Sequence, residues 1–232
     1  MQFIEVSVTG VRSAVITLRA PDRPQRIVLF PMMHLGEPTF YAGVTVRLGQ
    51  CAVVLDEGIR EQSLIARALT ISYRLPGRRG RLALVEQRID YSRLSAEVIR
   101  PDMTGRQFRA GWRGVPVLQR AAFVLLAPVV GAGFWLLGTR RMVARYAAAE
   151  DLPDAAEVML RNEAPALTEL LLDRRDALLA AALDEVLVQY RDESIDIAVV
   201  YGAAHMPALT RYLLAKYEFR PRDAEWLTVF DF

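Results

Sequence analysis

Cysteine, lysine and histidine are scarce in this chain. The scarcity of cysteine excludes a fold held together by disulfides. Cys51 is the only cysteine among 232 residues, so no internal disulfide can form and nothing demands an oxidising compartment. Lys216 is the only lysine, and the other basic residues are all arginine, a bias typical of a GC-rich genome. The net charge is only +2 and the densest basic run, RLPGRRGR at 74–81, has the composition of a turn. We therefore expect no nucleic-acid partner.

The residues that open the chain do not have the pattern of a secretory leader, so none is expected. The first twenty residues alternate between apolar and polar side chains and contain no basic segment followed by an apolar one. We therefore expect a cytoplasmic location. Apolar residues make up 53% of the chain, which is enough for a substantial core within one domain.

Several short apolar runs predict the strands of a sheet. Continuous runs at 27–30, 51–55 and 195–201 are typical of parallel strands that are buried on both faces. Alternating residues at 3–8 and 13–18 predict an N-terminal β-hairpin. A last strand is predicted at Trp226 to Phe230.

Helical periodicity fills most of the chain between these strands. The predicted helices are 40–49, 60–69, 82–98, 103–112, 167–190 and 207–217. The pattern favours an α/β fold, with a central mostly parallel sheet, flanking helices, the N-terminal hairpin and a helical insertion in the middle of the chain. We expect a single domain over 1–232, in which 82–165 is a mainly helical insert.

One uncharged segment, AAFVLLAPVVGAGFWLLG at 121–138, has about the length that a membrane span requires. Arg120 precedes it, and Arg140 and Arg141 follow it. Pro128 and two glycines would let the segment turn back, which favours a helical hairpin that is buried or covered in a homodimer. Peripheral membrane contact through the same segment is the next alternative, with the arginines facing anionic headgroups. A full span comes last, because it would separate the two histidines.

Both histidines of the chain end similar heptads, VLFPMMH at 28–34 and VVYGAAH at 199–205. His34 and His205 thus each follow a predicted buried strand, and Glu57 follows a third strand, at 51–55. The carboxyl ends of parallel strands share one edge of a sheet, where ligands bind, so these three side chains are expected to converge. Two imidazoles and a carboxylate leave one position of a metal ion open for water. We predict a divalent metal site of His34, Glu57 and His205, with Zn, Mn or Co as the ion.

Neighbouring polar residues are weaker candidates for the same site. Asp56 and Glu57 point to opposite faces if the chain is still extended there, and Gly58 favours Glu57 as ligand or general base. Asp56 is then expected to orient a neighbour. Glu37 is a reserve ligand, although its place before Pro38 suits the start of a helix. Cys51 begins its strand, six residues before Glu57, which is too far for a Cys-His nucleophile arrangement, and is expected in the core.

Four stretches together resemble the TraB/TIKI family of the EreA/ChaN-like superfamily. They are MMHLG at 32–36, VVLDEG at 53–58, DRRDALLAAALDEVL at 173–187 and YGAAHMPALTRYL at 201–213. The family has two Gly-x-x-His motifs; the second is present here, and Pro31 replaces glycine in the first. The resemblance covers the N-terminal and C-terminal thirds of the chain.

The resemblance implies an α/β fold with a metal-dependent hydrolase site, which is proteolytic in the TIKI branch. It assigns the helix arginine of the family to Arg175, with Arg174 as its neighbour, and a guanidinium there could bind a substrate carboxylate or an oxyanion. Tyr41 and Tyr201 could each offer a hydroxyl to the site. The function predicted is hydrolysis of amide or ester bonds in a peptide or small molecule. The alternative is a noncatalytic ligand-binding or regulatory protein with the same fold, associated with a membrane or not.

Overall fold

The computed structural model describes residues 1–58, 82–145, 149–150 and 161–232. The predicted helix at 60–69 and the basic run at 74–81 lie outside the described residues. So does part of the predicted insert at 82–165.

Strands form at both ends of the chain, and shorter ones form in its middle. Their bounds are β1 Gln2–Val6, β2 Gly10–Arg19, β3 Arg26–Met32, β4 Leu35–Gly36, β5 Val53–Asp56, β6 Val85–Glu86, β7 Glu97–Ile99, β8 Ala149–Glu150, β9 Asp196–Gly202 and β10 Arg220–Asp231. The helices are α1 Pro38–Leu48, α2 Gly105–Gly114, α3 Val117–Leu137, α4 Arg140–Ala144, α5 Pro165–Thr168, α6 Arg174–Gln189 and α7 Met206–Tyr217. A π-helical turn at Glu169–Asp173 joins α5 to α6, and 3-10 turns cover Tyr91–Arg93 and Ala203–His205.

Eight of the described strands form one mixed sheet, which confirms the α/β fold class predicted from the sequence. Its order is β7-β5-β9-β3-β2-β1-β8, and β10 pairs with β2 outside this path. The strands from β7 to β3 run parallel to one another. The predicted N-terminal hairpin is β1 and β2, which pair antiparallel.

The parallel strands are covered on both faces, as their continuous apolar runs predict. On one face, Val28, Phe30 and Val200 pack with the buried side of α1. On the other face, Leu29 and Val199 pack with α6 and α7. Successive residues of a strand point to opposite faces, so each of these runs supplies both cores.

Three local predictions differ from the structure. The helix predicted at 82–98 is wrong: this stretch holds β6, a 3-10 turn and β7. There β7 pairs with β5 in parallel register, and this pairing outweighs the local helical pattern. The last strand begins at Arg220 and not at Trp226, because it pairs with β2 along nearly all of that strand. The first strand residue of the run at 51–55 is Val53.

The segment 121–138 does not turn back into a hairpin. Its residues 121–137 lie within α3, a single helix of 21 residues with Pro128 in its interior. Most of its described side chains are exposed, so the buried alternative is wrong as well. Among the residues that the structure describes, no helix is long and apolar enough to cross a membrane.

A small core anchors α2 and the start of α3 to the helices that follow. Thr104 caps α2 and forms a reciprocal capping box with Gln107, which fixes where the helix begins. The apolar side of α2 places Phe108 and Trp112 against Leu170 of the π-helical turn. This contact holds the turn in place just before Arg174 and Arg175.

Candidate functional site

Four neighbouring parallel strands each deliver a polar side chain to the same edge of the sheet. In the spatial order β7, β5, β9, β3 these residues are Asp102, Glu57, His205 and His34. Each lies one to three residues beyond the end of its strand. Neighbouring strands are about 4.8 Å apart, which brings the first atoms of adjacent side chains within contact range. The two similar heptads are thus the ends of adjacent parallel strands, paired through Val28 and Ala198.

Glu57 lies at the centre of this edge. Its Oε1 accepts a hydrogen bond from Arg175 Nη2 at 2.6 Å, and its Oε2 accepts one from the Gly202 backbone N–H at 2.6 Å. Burial alone would raise the pKa of Glu57, but Arg175, both histidines and the Gly202 N–H lower it to about 2. The carboxylate is therefore ionised at neutral pH.

The glycine of the Gly-x-x-His motif has a steric reason in this structure. A Cβ atom at Gly202 would lie 3.2 Å from Glu57 Oε2 and 3.7 Å from the His205 ring. Without a side chain, the backbone N–H approaches the carboxylate closely enough to donate to it. The first motif has Pro31 at the matching place, and Pro31 lies inside β3 opposite Tyr201.

Arg175 projects from the first turn of α6 into the same cluster. Its Nε and Nη2 donate to the two oxygens of Asp102 at 3.0 and 2.6 Å, in addition to the bond with Glu57. Asp102 also accepts from the backbone N–H groups of Gly58 and Met103, and its side chain is fully buried. Burial would lower the pKa of Arg175, but Glu57 and Asp102 raise it overall, so the guanidinium remains charged.

His205 is buried and has two different environments at its two ring nitrogens. Its Nδ1 lies 2.6 Å from Asp176 Oδ1, which fixes the orientation of the ring. Its Nε2 lies 3.8 Å from Glu57 Oε1 and 3.5 Å from Arg175 Nη1. The Tyr201 ring packs edge-on against the imidazole, with ring centroids 5.6 Å apart. A carboxylate on one nitrogen leaves the other nitrogen directed at the cluster, as in metal-ligating and general-base histidines.

His34 lies at the open side of the cluster. Its side chain is exposed, yet dense protein around it lowers its pKa below the ordinary value of 6.5. Arg175 and His205 also lower the pKa, whereas Glu57 and Glu86 raise it. His34 is therefore neutral and accessible at neutral pH.

The weaker candidates have other partners. Asp56 accepts hydrogen bonds from Tyr91 Oη and from Arg100 Nε, so it fixes the 3-10 turn and the end of β7. Glu37 precedes α1, as expected of a helix-start charge, and pairs with Arg140 at 2.6 Å. Arg174 pairs with Glu169 at the surface. Of the two adjacent arginines, only Arg175 contacts the cluster.

The tyrosines and the cysteine are also accounted for. Tyr201 Oη donates to the Pro101 carbonyl, and Tyr41 Oη donates to the Met33 carbonyl. Burial raises the pKa of both hydroxyls, so neither is an acid at neutral pH. Cys51 is buried and lies in the apolar cluster under α1, as expected of a core residue.

The predicted metal site can be compared with these contacts. Among the described residues, no three His, Cys, Asp or Glu side chains already form a set that could hold a metal ion. Two predicted donor atoms, His205 Nε2 and Glu57 Oε1, are 3.8 Å apart, and Arg175 contacts both of them. The cluster contains three carboxylates, of Glu57, Asp102 and Asp176, and one guanidinium, of Arg175, so its carboxylates outnumber its guanidinium by two. The donor types and the charge therefore fit a divalent cation, while the three-donor geometry is not assembled.

No family model, curated protein or solved structure matches this chain.

Sequence reasoning missed two residues of the cluster, Asp102 and Asp176. Asp102 follows β7, which was predicted as part of a helix, so it was not recognised as the polar end of a fourth parallel strand. The signal was the stretch EVIRPD at 97–102, in which a proline and an aspartate follow a short apolar run. Asp176 directly follows Arg175, but no local pattern shows that it faces His205.

Proposed function

We propose that this chain is a metal-dependent hydrolase of amide or ester bonds, with its active site at the cluster around Glu57. The observation that carries the proposal is the geometry of His205: Asp176 holds Nδ1 at 2.6 Å, and Nε2 faces Glu57 at 3.8 Å. Residues far apart in the sequence thus combine an oriented imidazole with an ionised carboxylate. The resemblance of the surrounding motifs to the TraB/TIKI family supports the same class of reaction.

Each residue has a distinct part in this proposal. His34, Glu57 and His205 would hold a divalent ion, which supplies a bound water of lowered pKa when it is present. Asp176 holds Nδ1 of His205 in a hydrogen bond, so that Nε2 is the nitrogen that would bind the ion. His34 is neutral and accessible, which suits both ligation and contact with substrate.

Arg175 has one nitrogen, Nη1, that forms no hydrogen bond with Glu57 or Asp102. Its Nε and Nη2 serve Asp102 and Glu57, whereas the contact of Nη1 is a long one, 3.5 Å to the His205 ring. Asp102 is rigidly held by two backbone N–H groups, and it keeps the guanidinium in place. Nη1 could then donate to a substrate carboxylate or to the oxyanion that forms at the scissile carbonyl.

The test is metal content and hydrolysis measured on the same tag-free full chain. Elemental analysis after dialysis against Zn, Mn or Co should find about one ion per chain. His34→Ala and His205→Ala should abolish both the bound ion and the hydrolysis of peptide and ester probe substrates. Glu57→Gln should do the same, and Glu37→Gln, which changes a carboxylate outside the cluster, should not. A chain that binds no ion and hydrolyses none of the probes would overturn the proposal.

One observation favours a second candidate, a noncatalytic ligand-binding protein. Both oxygens of Glu57 and both oxygens of Asp102 already have donors, so the ionic cluster is complete without an ion. In that case Arg175 Nη1 and His34 would bind a polar ligand by hydrogen bonds, and no divalent ion would bind. Stoichiometric ligand binding without metal, lost in His34→Ala, would favour this candidate over the hydrolase.

A further inference from the structure

Helix α3 carries an apolar stripe that is open to solvent. Leu118, Leu125, Val129 and Leu136 are 81%, 68%, 65% and 51% exposed. At about 100° per residue these positions lie within about 40° of one line along the helix. The stripe is about 27 Å long at about 1.5 Å per residue. Soluble proteins rarely expose continuous apolar surface on this scale unless it meets a partner.

The segment that carries this stripe has charge of only one sign, and a carboxylate from outside the segment, Glu37, pairs with Arg140 at its end. Residues 103–148 contain seven arginines and no aspartate or glutamate, although the whole chain has 27 acidic residues. Arg113 lies in the last turn of α2, Arg120 lies in the first turn of α3, and Arg140 and Arg141 follow the end of α3. The described carboxylates form no ion pair with Arg113 or Arg120 within 1–58, 82–145, 149–150 and 161–232. The stripe is thus an apolar surface with cations at both ends.

This pattern selects the kind of partner. A second copy of α3, parallel or antiparallel, would bring arginines against arginines, and 103–148 offers no carboxylate to offset that repulsion. An anionic bilayer offers both apolar depth for the stripe and negative headgroups for its two ends. We propose that α3 lies in the surface of an anionic membrane, with the Leu118–Leu136 stripe among the acyl chains.

The end of α3 also has room for a headgroup. Thr139, Arg140 and Arg141 line an open concavity together with Thr9 and Phe232. Arg140 is held there by Glu37 and by the Asp231 carbonyl, and the Arg141 guanidinium lies over the Phe232 ring. Arginine and hydroxyl donors in one place suit the phosphate of a lipid headgroup.

The experiment measures vesicle binding by the full chain. Co-sedimentation should show binding to phosphatidylcholine vesicles with roughly 30% phosphatidylserine, weaker binding without phosphatidylserine, and loss at about 0.5 M salt. Val129→Glu and Leu118→Glu should each weaken binding by roughly tenfold or more, because each places a charge within the stripe. The matched control is Val188→Glu on α6, which changes a valine of similar exposure, 70%, and should bind as the unchanged chain does. Far-UV circular dichroism of all variants checks that the fold is retained.

Two outcomes would overturn the proposal. One is binding by Val129→Glu and Leu118→Glu that equals binding by the unchanged chain. The other is a chain that does not bind vesicles but sediments as a dimer, which the same two substitutions convert to a monomer, because this result assigns the stripe to a second copy. The assay contains no metal or substrate, so it does not depend on the proposed hydrolase activity.

Discussion

Replacing Arg175 with methionine would remove the cation that holds the candidate site together. The Arg175, Glu57 and Asp102 side chains are 13%, 15% and 0% exposed, so water cannot replace the lost guanidinium well. Removing one partner of a buried ion pair costs about 3–5 kcal/mol, because the other charges stay buried without compensation. We expect Arg175→Met to lower the free energy of unfolding at pH 7 by that amount.

The loss should depend on pH in a defined direction. Glu57 has a folded pKa of about 2, below its ordinary value of 4.5, so its ionic contacts contribute about 3 kcal/mol of stability above pH 4.5. That contribution disappears as the pH falls from 4.5 through 2, because the unfolded chain takes up the proton first. In Arg175→Met, burial is no longer offset by Arg175, and the pKa of Glu57 rises. The difference between the two chains should therefore be largest above pH 4.5 and should shrink towards pH 3.

Urea unfolding followed by circular dichroism at pH 7, 5 and 3 would measure this difference. Arg174→Met is the matched control, since Arg174 is the adjacent residue and pairs with Glu169, with both side chains about half exposed. An exposed pair of this kind contributes about 1 kcal/mol or less. Equal losses for Arg174→Met and Arg175→Met, or a loss for Arg175→Met that does not change with pH, would refute the reasoning.

Three further predictions concern single residues. Asp176→Asn should lower metal affinity or kcat by about 10- to 100-fold with little change in the urea midpoint, because Asp176 orients His205. Asp173→Asn, which changes a surface residue paired with Arg161, should leave metal affinity and kcat unchanged. Equal effects of the two substitutions would contradict the role of Asp176. Cys51 should resist a disulfide reagent at pH 8 until the chain is unfolded in urea, because burial raises its thiol pKa to about 12; rapid labelling of the folded chain would contradict this. Leu183→Ala should lower the free energy of unfolding by about 2–5 kcal/mol, because Leu183 is fully buried under the sheet. Leu214→Ala, at a 44% exposed position, should lower it by much less. Urea titrations that rank the two variants otherwise would contradict the packing of α6 against the sheet.

The centre of the sheet could be predicted because its strands are covered on both faces. Leu29 and Val199 pack under α6 and α7, while their neighbours Val28 and Val200 face α1, so the local sequence is apolar without interruption. A strand buried on both faces can be recognised from a short continuous apolar run, because it needs no alternation of apolar and polar residues. It also placed His34, Glu57 and His205 correctly at the ends of three strands.

The edge of the sheet could not be predicted in the same way. Strand β7 has only three residues, pairs with β5 alone in the described structure, and is partly exposed, so it has neither a long apolar run nor a clear alternation. Its assignment depends on a partner more than forty residues earlier in the chain. Because β7 is not predicted, the position of Asp102 at its end is not predicted either. The partnership of Asp176 with His205 likewise depends on how α6 is rotated against β9, which no local pattern records.

Asp102 matters because it decides what Arg175 can do when a cation approaches Glu57. A divalent ion held by Glu57 would compete with Arg175 for this carboxylate, whose Oε1 accepts the 2.6 Å bond from Arg175 Nη2. The two bonds from Arg175 to Asp102 do not compete with the ion, and two backbone N–H groups hold Asp102 itself. Arg175 therefore stays within reach of the cluster in either state. Asp102, a carboxylate absent from the predicted ligand set, would thus keep Arg175 beside the cluster if the proposed ion took its place on Glu57, and the released guanidinium donor would then be available to a substrate.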